Sequence, residues 1–269
     1  MCPETVLPPA APHGPGGGDA ETEQTFRIPN PALWSPETPA LYTLETELYI
    51  GKRSIDREQT RFGIRKIVIT PEGLRLNGKA RFLRGVNRHQ EYPYIGYALS
   101  DNAQRRDAWK IKQAGFDYVR TSHYPSSPAF LDACDEYGIF VLEPILGWQY
   151  FGDERFTEHA LHSSREMIRR DRNHPSVWMW EPILNETWYP ADFAKNVVDI
   201  LNEEYPYPYC YAGCDVTARG HEYFPIHFTH PMNGGGGAFN SENLDPKISY
   251  FTREWGDNVD DWNSHNSPS

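Results

Sequence analysis

Apolar and polar positions along the chain change rhythm near residue 70. Before it, "ALYTLETELYI" alternates apolar with polar residues, which is the period of a half-buried strand. After the turn "GKRSID", "EQTRFGIRKIVIT" reads as a second strand pair. Residues 26–70 are thus expected to form part of a small antiparallel sheet, too short for a complete sandwich. "PEGLRLNGKA" reads as a hairpin with an Asn-Gly turn. Beyond it, short runs apolar on both faces alternate with helical periodicity. The strand candidates are "ARFLRGVN", "FDYVRTS", "IFVLEPIL", "SVWMWEPIL", "YCYAG", "FPIHFTH" and "ISYFTREW". The helix candidates are "SDNAQRRDAWKIKQAG", capped by Ser100 and stopped by Gly115, then "PAFLDACDEYG", "EHALHSSREMIRRD" and "ADFAKNVVDILNEEY". Strands apolar on both faces belong to a parallel sheet covered by helices. Seven of them suit an α/β (β/α)8 TIM barrel better than an open doubly wound sheet, with the eighth strand missing. No glycine-rich phosphate loop follows any strand.

Polar residues cluster directly after these apolar runs. The first ends in Asn87, Arg88 and His89, and the second in Arg120, Ser122 and His123. The third ends near Glu143 and is followed by Trp148; the fourth ends in Asn185 and Glu186. The sixth ends in His227 and His230, and the seventh in Glu254 and Trp255. Repetition at one end of strand after strand predicts a polar pocket at one rim, where barrels of this kind carry their chemistry. Glu186 and Glu254 come from strands three steps apart. Across a narrow barrel mouth such carboxyl groups can approach to roughly 5 Å, the separation that supports double displacement at an anomeric carbon. Partial burial of Glu186 is expected to keep it protonated near neutral pH, and Glu181 is expected to be structural.

Composition narrows the classes. The 269 residues carry a formal charge of −11, which disfavours nucleic acid as a partner. No apolar run approaches the length of a membrane span. The segment "MCPETVLPPAAPHGPGGGDAE" lacks the features of a signal peptide and is expected to be a disordered lead-in over residues 1–25. Aromatics make up 14%, enough to fill a core and also to line a site for sugar rings. Cys210 and Cys214 have no second pair, so zinc is not expected. No H-x-H or H-E-x-x-H spacing supports a metal centre at His89 and His123, and no G-x-S-x-G elbow supports a serine hydrolase.

The motifs "NPALWSPETPALYTL", "RFGIRKI", "FLRGVNRHQEYPYIG", "VRTSHYPSSPAFLDACDEYGIFVL", "RDRNHPSVWMW…NE" and "YFTREWGD" resemble glycoside hydrolase family 2, which holds β-galactosidases, β-glucuronidases and β-mannosidases. The resemblance implies that residues 26–70 are part of an immunoglobulin-like β-sandwich and 71–269 a C-terminally truncated catalytic barrel. It implies Glu186 as general acid/base, Glu254 as nucleophile, and Asn185 as partner of a sugar 2-hydroxyl. His89 and His123 would hold sugar hydroxyls, and Arg120 would sit beside the nucleophile. Trp148 and Trp255 would stack on a sugar face, with His230 a further substrate contact.

The implied activity is that of a retaining exo-β-glycosidase, most simply on β-D-galactosides. A β-glucuronidase, or a truncated and inactive sugar-binding fragment, are the alternatives. Three departures from the family pattern stand out. "WEPILNE" places six steps between Trp180 and Glu186, one more than usual, so a bulge or register shift is expected. "EPILGWQYFG" lacks the Glu-x-His of a magnesium site, so no cofactor or metal is expected. The tyrosine that the family usually offers after strand six is absent, with Met232 near its place. Oligomeric state and compartment are not legible.

Overall fold

A computed structural model describes residues 22–229 and 245–254. Strands β1 (Tyr42–Ile50) and β2 (Arg53–Phe62) form an antiparallel hairpin that turns at Gly51, whose φ of +61° suits a residue without a side chain. The hairpin's sequence partner, expected to extend the same sheet, leaves it at Gly63. Strand β3 (Ile67–Thr70) instead joins β4 (Gly73–Leu76) and β5 (Lys79–Arg81) in a separate antiparallel meander. At this point the chain packs closely on Pro175: a Cβ on Gly63 would lie 2.6 Å from its ring. The expected Asn-Gly turn is present, with both Asn77 and Gly78 at positive φ. Tyr211 Oη ties this meander to the rest by donating to Ile67 O and accepting from Ile69 N, each at 2.9 Å.

Seven parallel strands follow among the described residues. Strands β6 (Gly85–Arg88), β7 (Tyr118–Thr121), β8 (Phe140–Pro144) and β9 (Val177–Glu181) form one ladder. Strands β10 (Gly213–Asp215), β11 (Ile226–Thr229) and β12 (Ser249–Thr252) form another. A parallel bridge between Trp180 and Ala212 joins the two. Helices α1 (Asp101–Gln113), α2 (Pro128–Tyr137), α3 (Glu154–Asp171) and α4 (Ala191–Glu204) alternate with the strands. This is the expected TIM-barrel alternation. Among the described residues no strand pairs the outer edges of β12 and β6. A mostly apolar groove of about 1130 Å³ lies there, lined by Leu74, Leu83, Val86, Ile226 and Phe251 among others.

The run "ARFLRGVN", expected as one strand, divides. Its first part closes the meander, and the barrel strand starts only at Gly85, where a Cβ would meet the Tyr118 carbonyl oxygen at 2.2 Å. Ser100 caps α1 as expected, its Oγ accepting from Ala103 N. Helix α3 starts a turn before its apolar pattern because Asp153 accepts from Phe156 N at 3.0 Å. Two apolar layers result. Tyr118, Phe140, Leu142, Trp178, Met179 and Phe228 fill the barrel, while Val119, Val141 and Trp180 meet Phe130, Ile168 and Phe193 of the helices. None of the described helices is long and apolar enough to cross a membrane.

Candidate active site

The strand period of two decides which polar residues face inward. Tyr118 is in the barrel core, so Arg120, two residues on, also points inward, above it. Its guanidinium is fully buried and organises the barrel mouth. Nε and Nη2 donate to the two oxygens of Glu181, each at 2.8 Å. Nη2 also reaches Asn185 Oδ1 at 2.9 Å, and Nη1 reaches Glu254 Oε1 at 2.6 Å. Arg253 approaches Glu181 from β12's end, donating from Nη1 at 2.8 Å, and bonds Asp215 through Nη2 at 3.0 Å. A chain of charges therefore crosses the mouth from Glu254 to Asp215. Burial works against the charge on Arg120; the Glu181 carboxylate more than offsets it and holds the arginine firmly protonated.

After Glu181 the chain leaves the sheet at Pro182, which has no N–H to give, and bends at Ile183. It returns to pair Asn185 with Trp148, the residue that follows β8. The expected irregularity is present, but its bulge falls earlier: Val141 pairs with Val177 and Leu142 with Met179, which leaves Trp178 over. Because Arg120 donates to Oδ1 of Asn185, the amide orientation is settled. Its buried Nδ2 has no hydrogen-bond partner among the described residues, so a donor is available to a ligand at the mouth.

Glu186 follows with φ of +46°, a left-handed conformation that costs a non-glycine residue on the order of 1 kcal/mol. Facing it, Gln149 is also left-handed, at +54°. Trp148 Nε1 and Gln149 Nε2 both donate to Glu186 Oε2, at 3.0 and 2.9 Å. The expectation that burial keeps Glu186 protonated is overturned. Partial burial does push its pKa up, but these two hydrogen bonds outweigh that, and the carboxyl sits below its ordinary value. The side chain lies at an exposed rim and not in the barrel interior.

His123 stacks on Trp148 at 5.9 Å with planes 20° apart, and His89 meets His123 edge-on at 5.5 Å. Burial, with the Arg120 charge beside it, pushes His123 down to about 4, so it is a neutral imidazole. Its Nδ1 is buried without a partner among the described residues. These two histidines, Trp148, Asn185, Glu186, Arg120 and Glu254 are thus linked around one mouth.

Other polar residues at strand ends turn away. Arg88 bonds Asp107 and Gln104 of α1. Glu143 is wholly buried toward the helices, accepting from Ser126 N and Thr121 Oγ1. His227 donates from Nε2 to the His221 carbonyl at 2.8 Å. His230, Met232 and Trp255 lie outside the described residues. Sequence reasoning missed Gln149, Arg253 and Asp215, whose residue types carry no distinguishing spacing. Among the described residues one Asp/His group, Asp132, Asp135 and His174, has the proximity of metal ligands. However, His174 Nδ1 and Ser176 N already engage Asp135.

Residues 67–203 match the family model for the glycosyl hydrolases family 2 TIM barrel domain, and residues 9–65 match a second model of glycosyl hydrolases family 2. Glu254 lies beyond both matched segments. A β-galactosidase of Thermoanaerobacter pseudethanolicus is 42% identical over 185 residues, 68% of this chain and 25% of that protein. A β-galactosidase of Thermoanaerobacterium thermosulfurigenes is 44% identical over 172 residues, 64% of this chain and 24% of that protein. An FMN-binding β-glucuronidase structure from Facaelibacterium prausnitzii superposes with a TM-score of 0.76 at 28% identity, covering 85% of this chain and 39% of that one. A β-glycosidase structure from Bacteroides vulgatus gives 0.66 at 31%, covering 75% and 26%. The chain spans about a quarter of the length of the curated relatives it matches. The barrel, its mouth and these matches agree: the chain belongs to glycosyl hydrolases family 2.

Proposed function

We propose that the protein is a retaining exo-β-glycosidase that removes terminal β-D-galactosyl units. The observation that carries this reading is the Arg120 guanidinium, bonded at once to Glu254 and to Asn185, the neighbour of Glu186. It links one carboxylate, Glu254, to the segment that carries a second, Glu186. Glu254, held by Arg120, attacks the anomeric carbon. Glu186 protonates the departing glycosidic oxygen. Trp148 and Gln149 both occupy Oε2, which leaves Oε1 to carry the proton. Water, deprotonated by Glu186, then displaces Glu254 and frees the sugar with its anomeric configuration retained. The free Nδ2 of Asn185 donates to the sugar 2-hydroxyl, a bond that tightens toward the oxocarbenium-like transition state. His89 and neutral His123 bind further hydroxyls, and Trp148 offers an apolar face.

Galactose is favoured as the substrate because β-galactosidases are the relatives at 42% and 44% identity. The similarity to a β-glucuronidase structure supports β-glucuronides as the second reading. Hydrolysis of nitrophenyl β-D-galactoside and β-D-glucuronide by the purified, folded protein separates them. Turnover of neither, nor of any other aryl β-glycoside, defeats the proposal.

A further inference from the structure

The layer between the barrel and its helices holds a carboxyl group that the reaction leaves unused. Arg120 and Leu142 are register partners on β7 and β8, so the next residue of each strand, Thr121 and Glu143, lie side by side and turn outward together. Thr121 Oγ1 is 3.1 Å from Glu143 Oε2 and 3.2 Å from Leu142 O. The other carboxyl oxygen, Oε1, accepts from Ser126 N at 2.6 Å. One side chain thus joins the residue before and the residue after the segment 122–125, which presents His123 to the mouth. Arg170 adds to the hold: its Nη2 donates to Ser126 O at 2.7 Å, while both oxygens of Asp171 fix its guanidinium. Thr121, Ser126 and Glu143 are all buried, so water does not replace a bond lost among them. Within the segment His123 is held more loosely. Its carbonyl accepts from Gly147 N at a long 3.4 Å, and its ring rests on Trp148.

The state of the carboxyl suits this task. Burial, reinforced by Asp171, pushes Glu143 up to about 8, so it keeps its proton at neutral pH. With the proton on Oε2, the carboxyl donates to Thr121 Oγ1, and the Thr121 hydroxyl turns its own hydrogen to Leu142 O. Ser126 N–H stays on Oε1. Each donor of the set then has an acceptor, and no charge is buried.

We propose that Glu143 is a positioning residue for substrate binding: it ties both ends of the 122–125 segment and so sets where the His123 imidazole meets the sugar. The inference rests on the proposed role of His123 as a sugar-hydroxyl contact. It adds a residue that never touches substrate and acts from the far side of strands β7 and β8.

Glu143→Gln is neutral, like the protonated acid, and offers an amide N–H to Thr121 Oγ1 and a carbonyl to Ser126 N. It should keep KM for nitrophenyl β-D-galactoside within about twofold of wild type. Glu143→Met is of similar length and makes neither bond. Its KM should rise about 10-fold, the order expected for a lost buried hydrogen bond, while kcat changes by less than about threefold. In a His123→Ala background the same Met substitution should change KM by less than about twofold, because the imidazole that Glu143 positions is gone. A purely structural role would lower the folded fraction, or raise KM by the same factor in both backgrounds. Where Glu143→Met does not fold, Thr121→Val frees one end of the segment alone, and the same comparison with and without His123 decides. Equal factors in the two backgrounds, a wild-type KM in the folded variant, or a Gln variant no better than Met overturns the inference. A wild-type KM in His123→Ala overturns instead the reading beneath it.

Discussion

The Trp148 indole and the Glu186 carboxylate meet across two neighbouring loops, Nε1 donating to Oε2 at 3.0 Å, with Gln149 adding a second bond to the same oxygen. The pair sets both the position of the carboxyl and its charge. Both donors favour the ionised form, and their effect exceeds that of partial burial. On the proposed role of Glu186 as proton donor, which works below its pKa, these bonds would set the alkaline end of the activity range. Replacing Gln149 by Met, or Trp148 by Phe, removes one donor. The sign follows directly: the carboxyl rises toward its ordinary value, and the basic limb of kcat/KM moves to higher pH. A limb at the wild-type position in both variants would show that Glu186 is not the proton donor.

The division of labour between Glu186 and Glu254 has its own test. Glu186→Ala should reduce kcat/KM for a substrate with a poor leaving group by about 10²–10⁴-fold, the usual range for a lost acid. Dinitrophenyl glycosides, which need no protonation, should suffer far less in the first step. Added azide should restore turnover and yield a β-glycosyl azide. Glu254→Gln should abolish labelling and turnover alike, with no azide product of that configuration. Peptide mapping that found the fluoro-sugar on Glu186 would reverse the two roles.

The barrel was legible in the sequence because its strands are apolar on both faces and its helices carry ordinary caps. Ser100 and Gly115 bound α1 where the pattern puts them. The division of "ARFLRGVN" was hidden, since nothing in the run distinguishes Arg81, which closes a meander, from Gly85, which must approach Tyr118. At the mouth, Arg120, His123, Asn185 and Glu186 announced themselves by position after apolar runs. Arg253 did not, and Glu181 read only as a structural group, because a charge at a strand end has no visible role until its partner from a distant strand is known. The ionisation of Glu186 was misjudged for the same reason: burial can be guessed locally, whereas the donors on Trp148 and Gln149 lie 38 and 37 positions away.

Glu143 shows what a buried carboxyl does without an arginine fork. Burial, reinforced by nearby Asp171, pushes it up to about 8, despite bonds from Ser126 N and Thr121 Oγ1 and the more distant Arg170 charge. Its folded value lies above the ordinary one, so the folded state retains the proton. Its contribution to stability is full below about 4.5 and is lost as pH rises through about 8. Glu143→Gln offers an oxygen to Ser126 N and an amide to Thr121 Oγ1. The variant should flatten this part of the melting-temperature profile and equal or exceed the wild type above pH 8. A parallel decline in both proteins would place the loss elsewhere.

His174 and Asp135 give a second pH-dependent contribution, on the outer face of the barrel. Asp135 accepts from His174 Nδ1 at 2.6 Å and from Ser176 N at 3.0 Å, while its own carbonyl accepts from the Trp34 indole at 2.9 Å. It thereby joins α2, the segment leading into β9 and the chain before β1. Burial lowers the His174 pKa, but the Asp135 carboxylate outweighs it, helped by Asp171 and Asp132, and the imidazole is held above its ordinary value. A raised histidine stabilises fully below its unfolded pKa of about 6.5, and this contribution is lost as pH rises through the folded value. Asp135→Asn keeps an acceptor for Ser176 N and removes the charge. It should destabilise the fold by about 3 kcal/mol at pH 6, the cost of breaking a buried pair, and by less at pH 9, because the part that depends on the imidazole charge fades as pH rises through the folded value. Denaturant melts at the two pH values decide it. An equal loss at both would mean that Asp135 acts through its hydrogen bonds alone and not through the charge on His174.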